Sequence, residues 1–167
     1  DDALHAESAF TRALRHDLPE FQTAEREWMY HVSRTKDRRA AGIALATLYL
    51  RLFYWYGWYE PYPLCQQLLL DWDQSQHADE DREWLALLRD FNASYPVVWA
   101  DQPADWDAVD GVMTEMRTVG GLDDALEVLA PEQRRLRGLT DMFMAQARLR
   151  REPPDFTGDA YYQDARL

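Results

Sequence analysis

A nearly continuous run of apolar and aromatic residues from 40 to 59 constrains the fold of this chain more than any other feature. The run is long enough to cross a bilayer, but Arg51 lies in its middle and six of its twenty residues are Tyr or Trp. A membrane span avoids a central charge and is rich in Leu and Ile. We therefore expect a buried central helix over residues 37–56 that ends at Gly57, and no membrane partner.

Long proline-free stretches make up most of the remaining sequence, and runs of β-branched residues are almost absent. Both features favour helices with short connections over strands. Apolar residues recur at helical spacing in the stretches between the prolines. The sequence therefore predicts an all-α fold of about eight helices. They are expected near residues 2–16, 18–32, 37–56, 61–72, 81–95, 104–118, 122–129 and 131–151.

The domain organisation follows from these helices. We expect a single helical domain over residues 1–151, with an N-terminal helical pair at 1–36 and helical hairpins at 37–151. Pro153 and Pro154 end regular structure, so residues 152–167 are expected to form an irregular tail. The first residues are two aspartates, with no methionine and no signal-like segment, which indicates an excised domain or a processed chain.

The formal net charge of −12 bounds the classes of partner. Nucleic-acid binding needs lysine and arginine clustered on one face, and the short basic runs of this chain are expected to be solvated helix faces. We therefore expect no nucleic-acid partner. The single cysteine, Cys65, excludes an internal disulfide and a multi-cysteine metal site. Its position on an apolar helix face predicts a packing role.

Sequence motifs for catalysis or metal binding are missing. The acidic run at 71–83 does not fit a calcium loop, because Gln76 takes the place of the glycine and Arg82 that of the bidentate glutamate. There is no Glu-x-x-His pair for a di-metal bundle and no Gly-x-Ser-x-Gly elbow. We expect no catalytic residue, no metal and no cofactor, and hence a protein that is not an enzyme.

Aromatic residues crowd into positions 49–62. On a helix Tyr49, Phe53 and Tyr56 share one face, but the consecutive aromatics at 53–56 cannot all point into one core. Either the central helix is packed on all sides, or part of the cluster lines a concave binding surface. Both interpretations stay open.

Arg51 sharpens this choice, because a buried arginine needs an acidic partner. That partner is either a glutamate or aspartate of an adjacent helix or a carboxylate on a peptide or small ligand. The candidate contact residues of a binding surface are Arg51, Tyr54, Trp58 and Tyr59.

Two segments share a helix-turn-helix pattern, namely Gly57-Trp58-Tyr59-Glu60 and Gly120-Gly121-Leu122-Asp123-Asp124-Ala125-Leu126. In each, a glycine ends one helix and a large apolar residue follows two positions later. The chain here resembles a degenerate tetratricopeptide (TPR) repeat protein. It departs from that pattern at Tyr62, where a small residue is expected, and the two glycines are 63 residues apart, short of two repeats. The resemblance implies antiparallel hairpins stacked in a right-handed array that binds proteins.

A second resemblance extends the first. A helix over 21–32 with a buried tryptophan, Trp28, on an apolar stripe that begins at Phe21, then a charged linker, then an alanine- and aromatic-rich helix ending in Tyr54-Trp55-Tyr56-Gly57, are similar to the start of the C-terminal sensor region of bacterial STAND (NB-ARC-like) signal-transduction ATPases. The resemblance implies a cytoplasmic region of a bacterial regulatory protein that binds a trigger or keeps the ATPase inhibited. No G-x-x-x-x-G-K-[ST] loop is present, so this chain is not the nucleotide-hydrolysing part.

The leading functional hypothesis is a non-catalytic interaction or sensor domain that binds a peptide or a neighbouring domain through grooves between paired helices. Two alternatives stay open at this point. One is a stand-alone helical adaptor or oligomerisation module. The other is a small-molecule-binding or enzymatic helical bundle with an aromatic-lined pocket.

Overall fold

The computed structural model describes residues 18–56, 63–75, 77–95 and 105–151. These residues form six α-helices and no strand, which confirms the all-α prediction for the described part of the chain. The helices are α1 (Pro19–Val32), α2 (Arg38–Tyr56), α3 (Pro63–Asp73), α4 (Arg82–Ser94), α5 (Trp106–Gly120) and α6 (Pro131–Arg151). The predicted helix at 2–16 and the predicted tail at 152–167 lie outside the described residues.

Helix α2 is the centre of the fold, since it packs against each of the other five helices. Apolar residues over most of its circumference are buried, among them Leu45, Leu48, Tyr49, Leu50 and Leu52, whereas a stripe of Ala44, Thr47 and Arg51 is partly or fully exposed. A helix that is apolar over most of its surface has to be covered by several neighbours. The prediction of a buried central helix is therefore confirmed, and no helix of the described residues is long and apolar enough to span a membrane. The right-handed stacked array stays a prediction.

A close helix crossing explains one glycine of this central helix. A Cβ atom built at Gly42 would lie 2.1 Å from the indole Nε1 of Trp84 on α4. The indole ring therefore lies directly on the bare backbone of α2. Any larger residue at position 42 would push the two helices apart.

Aromatic rings from three helices form the main core. Phe53 of α2 packs edge-to-face against Phe91 of α4 at a centroid distance of 4.8 Å and against Tyr95 at 5.1 Å. Phe143 of α6 packs against Phe91 at 5.0 Å. The Tyr95 hydroxyl donates a hydrogen bond to Gln146 Oε1 at 3.0 Å. Part of the predicted aromatic cluster thus belongs to the core that joins α2, α4 and α6.

The connection between α5 and α6 corrects one predicted helix. Residues 122–129 form turns and bends, so the short helix predicted there is wrong. Gly121, and not Gly120, takes the left-handed conformation, with φ at 57°. Leu122 is fully buried and plugs the connection as expected, but Ala125 is exposed, because the second helix of the pair begins only at Pro131.

The inward face of α1 also differs from the prediction. The apolar stripe of this helix includes Phe21 and Trp28, but these side chains are 38% and 50% exposed. Met29 is buried instead, and Val32 is partly buried against the core. The tryptophan predicted to be buried in this helix is therefore at the surface. The reason is that α1 lies at the edge of the fold and covers α2 and α3 with only one narrow side.

Candidate functional site: a cleft between α1 and α3

A cleft of about 650 Å³ opens between α1 and α3. Its floor is apolar and consists of Met29 on α1 and of Leu68 and Trp72 on α3, each only 2% exposed. Polar and charged side chains form the rim. An apolar floor with a few polar groups around it is the usual composition of a binding site.

A buried ion cluster holds the floor in place. The Trp72 indole Nε1 donates a hydrogen bond to Asp81 Oδ2 at 2.7 Å, and the Asp81 carboxylate is fully buried. Arg38 donates to both oxygens of the same carboxylate, through Nε at 3.1 Å and through a second, closer contact. It also donates to the main-chain oxygens of Ser33 at 3.0 Å and Thr35 at 2.7 Å. This Arg38–Asp81 cluster therefore joins the end of α1 to the starts of α2 and α4.

One end of the rim is closed by an ion pair. Arg26 donates from Nε at 3.1 Å and from a terminal nitrogen at 3.0 Å to Asp71 Oδ2. Gln67 donates to the other oxygen of Asp71 at 2.7 Å. Because Arg26 and Asp71 are both close to half exposed, the pair adds little stability and can reorganise around a ligand.

Two other rim charges lack a counter-charge within the described ranges. Among the described residues, no cation lies within salt-bridge distance of Glu27 and no carboxylate within that distance of Arg34. The Arg34 guanidinium lies over the Tyr30 ring, with 3.4 Å between its central carbon and the ring centroid. It also donates to the main-chain oxygen of Tyr30 at 3.1 Å. The cation is therefore held in one position and keeps further N–H donors available.

One residue of the cleft lining carries an unsatisfied polar atom. The hydroxyl oxygen of Ser75 is shielded from solvent and has no hydrogen-bond partner within the described part of the chain.

Arg51 lies outside this cleft and lines a second, smaller groove. That groove, of about 160 Å³, lies beside Trp28 on the other side of α1. The Arg51 side chain is 47% exposed and donates to Glu25 Oε1 on α1 at 3.2 Å. The expectation of a buried arginine is therefore wrong, since the long side chain reaches past the apolar surface of α2 to the edge of α1. Its observed partner is a glutamate of an adjacent helix.

Of the other three candidate contact residues only Tyr54 is described, and it does not line the cleft. Tyr54 is partly buried, with its ring centroid 6.5 Å from that of Phe143. Trp58 and Tyr59 lie outside the described residues. The cleft was missed because its residues come from two separate segments without a motif. The available signal was the spacing of Thr23, Arg26, Glu27 and Tyr30 on α1, which puts a tyrosine and two charges on one face.

Three buried ionisable groups outside the cleft lining are held in their protonated form. Cys65 on α3 is buried, which confirms its predicted packing role, and its Sγ contacts the main-chain oxygen of Tyr49 at 3.9 Å. Burial raises the pKa of the Cys65 thiol and of the Tyr49 and Tyr95 hydroxyls well above their usual values. All three stay protonated near neutral pH. No group of three or more metal-ligating side chains occurs in the described part of the chain.

Comparison of the chain with protein-family models, with curated proteins and with solved structures found no match. The class of this protein is therefore given by its own structure. The described residues form an all-α helical domain with an open cleft between two of its helices.

Proposed function

We propose that this chain is a non-catalytic protein-interaction domain that binds a peptide segment of a partner in the α1–α3 cleft. The single observation that carries the proposal is the cleft itself, whose apolar floor of Met29, Leu68 and Trp72 is held in place and surrounded by a polar rim. Fully burying one large apolar side chain contributes about 1.5–3 kcal/mol. A cleft of about 650 Å³ has room for more than one such side chain.

The wider setting of the proposal rests on the two sequence resemblances. We propose a TPR-like helical domain of a bacterial regulatory protein, in which the bound segment belongs to a neighbouring domain or to a separate signalling protein. Occupation of the cleft would then change the activity of the parent protein. The groove between two helices is the kind of surface that helical repeat proteins use for peptides.

A matched pair of variants tests the location of the site. Thr23 lies in the cleft, and Thr114 lies on the exposed side of α5. Both are exposed helical threonines whose hydroxyls donate to the carbonyl four residues earlier at 2.8 Å. Thr23→Trp fills the cleft, and Thr114→Trp makes the same change elsewhere. The probe is a synthetic peptide enriched from a displayed random library on the full chain.

The expected result is a loss of at least about tenfold in affinity for Thr23→Trp, as measured by fluorescence anisotropy of the labelled peptide, which corresponds to about 1.4 kcal/mol. Thr114→Trp should bind as the unsubstituted chain does. Failure to enrich any peptide, or equal affinities for the two variants, would overturn the proposal. Binding of small apolar compounds in place of peptides, with the same sensitivity to Thr23→Trp, would favour the small-molecule alternative.

A further inference from the structure

The two unpaired rim charges, Glu27 and Arg34, make the two ends of the cleft electrostatically different. Glu27 lies within α1, and Arg34 lies in the turn directly after it, two residues beyond Val32. Both line the cleft, so the negative and the positive charge occupy different positions along it. The chain carries 30 acidic residues against 18 basic ones, and most arginines of the described residues pair with a carboxylate. An arginine that lines the cleft without such a partner is therefore available to a ligand.

The floor of the cleft discriminates between an extended and a helical peptide. An extended segment brings a row of unpaired N–H and C=O groups, and each of them needs a partner once it leaves water. The floor offers the apolar side chains of Met29, Leu68 and Trp72. A helix satisfies its own backbone hydrogen bonds and needs to present only side chains.

On the basis of the proposed function, we infer that the partner segment is an amphipathic helix that lies along α1 in one orientation only. Its apolar stripe contacts Leu68 and Trp72, a basic residue lies opposite Glu27, and an acidic residue further along the same helix lies opposite Arg34. Glu27 and Arg34 are thus specificity-determining residues, and they select the order of the charges along the partner.

The energetic role of the two charges is selection of orientation. In the reversed orientation each rim charge meets a like charge, which is penalised at a desolvated interface. Arg34 is well suited to this role because stacking on Tyr30 and the bond to the Tyr30 main-chain oxygen already hold it. Little side-chain entropy is therefore lost when a carboxylate binds.

Two helical peptides and a charge-swapped protein test this inference. The peptides share an apolar stripe taken from helices enriched on the full chain. One carries lysine and, seven residues later, glutamate, and the other carries the same two residues exchanged. The protein variant combines Glu27→Arg with Arg34→Glu, which keeps the net charge. A control exchanges two exposed, unpaired charges elsewhere, Glu115→Arg with Arg134→Glu. Circular dichroism verifies that each variant is folded.

We expect the unsubstituted chain to prefer one peptide by about tenfold and the swapped variant to prefer the other by a similar factor. The control variant should keep the original preference. The neutral variant Glu27→Gln with Arg34→Gln should bind both peptides with equal affinity, which separates loss of selection from loss of folding.

Two outcomes overturn the inference and can be told apart. If the unsubstituted chain binds both peptides equally while Thr23→Trp still abolishes binding, the charge order is not recognised, and the cleft remains a peptide site. Enrichment of extended, proline-containing peptides in place of helices would contradict the helical partner, and the cleft would again remain a peptide site. If neither peptide responds to Thr23→Trp, the proposed function fails together with the inference.

Discussion

The α5–α6 pair and the α1–α3 pair are both formed by adjacent helices, but one is closed and the other open. Between α5 and α6 the facing apolar residues are fully buried, namely Val109, Met113, Met116, Leu136, Phe143 and Ala147. The connection is tightly bonded as well, since Arg39 and Gln133 both donate to the main-chain oxygen of Gly120, at 3.0 and 3.1 Å. In α1, by contrast, Met29 is the one buried helical residue.

The difference lies in the side chains that each pair puts at its interface. Helix α1 presents Thr23, Arg26, Glu27 and Tyr30 on the side of the cleft, and charged side chains are rarely buried without a partner. They hold α1 away from α3, and the space between the helices becomes the cleft. A helix pair closes where both faces are apolar and stays open where one face has to remain in contact with water.

Truncation of the closed interface is expected to have the largest effect. Phe143→Ala should lower the free energy of unfolding by about 3–5 kcal/mol, because the ring is fully buried among aromatic neighbours that cannot refill the space. Urea denaturation gives the measurement. Leu149→Ala on the same helix is the control and should change stability by less than about 0.5 kcal/mol, since Leu149 is 62% exposed. A similar loss for both variants would show that α6 is not closed against its neighbours.

The next largest effect concerns the support of the open cleft. Arg38→Met should cost about 3 kcal/mol in urea denaturation, because it leaves the fully buried Asp81 carboxylate without its cation. Arg82→Met removes an arginine whose pair with Asp79 is 78% and 93% exposed, and should be close to neutral. Equal effects of the two substitutions would contradict the role assigned to the Arg38–Asp81 cluster.

A loss of folding stability at high pH should report on Cys65, which is buried on α3. Burial raises its folded-state pKa, whereas the unfolded chain releases the thiol proton near a pKa of about 8.5. The stability present below that pH is therefore lost as the pH rises, by about 2 kcal/mol between pH 8 and pH 10.5. Urea denaturation at both pH values provides the measurement. Cys65→Ala should show a smaller decline, and identical declines would mean that the thiol is accessible to solvent in the folded chain.

The smallest expected changes in stability distinguish two glycines of the α5–α6 pair, Gly121 after α5 and Gly138 within α6. Gly121→Ala should destabilise by about 1–2 kcal/mol, because an alanine at φ 57° is strained and its Cβ would displace Arg39. Gly138 lies within α6 with nothing within 4 Å of a built Cβ, so Gly138→Ala should stabilise by about 1 kcal/mol. Thermal unfolding would show the two melting temperatures moving in opposite directions. An unchanged or higher melting temperature for Gly121→Ala would contradict the conformational role of Gly121.

The periodic part of the structure could be predicted from the sequence, because helix formation depends on local spacing. The stripe at Trp84, Leu85, Leu88, Phe91 and Tyr95 predicts the buried face of α4 correctly. The continuous apolar run predicts the buried α2, and the proline and glycine positions give most helix ends. The turn at 122–129 was missed, because two leucines seven residues apart are equally compatible with a helix and with a loop anchored at both ends.

The candidate site, in contrast, depended on distances between helices. The sequence predicts Arg51 within a buried helix and Phe21 and Trp28 on the apolar stripe of α1, and all three side chains are exposed. An apolar pattern shows which residues can be buried but not which helices will cover them. The way α1 packs on α3 determines whether the two helices close or leave a cleft. We attribute this packing to the Arg38–Asp81 cluster and the charged rim acting together. The all-α class, the central helix and the buried face of α4 thus came from local pattern. The cleft and its two unpaired charges arose only when segments some 45 residues apart, such as Arg26 and Asp71, were brought together.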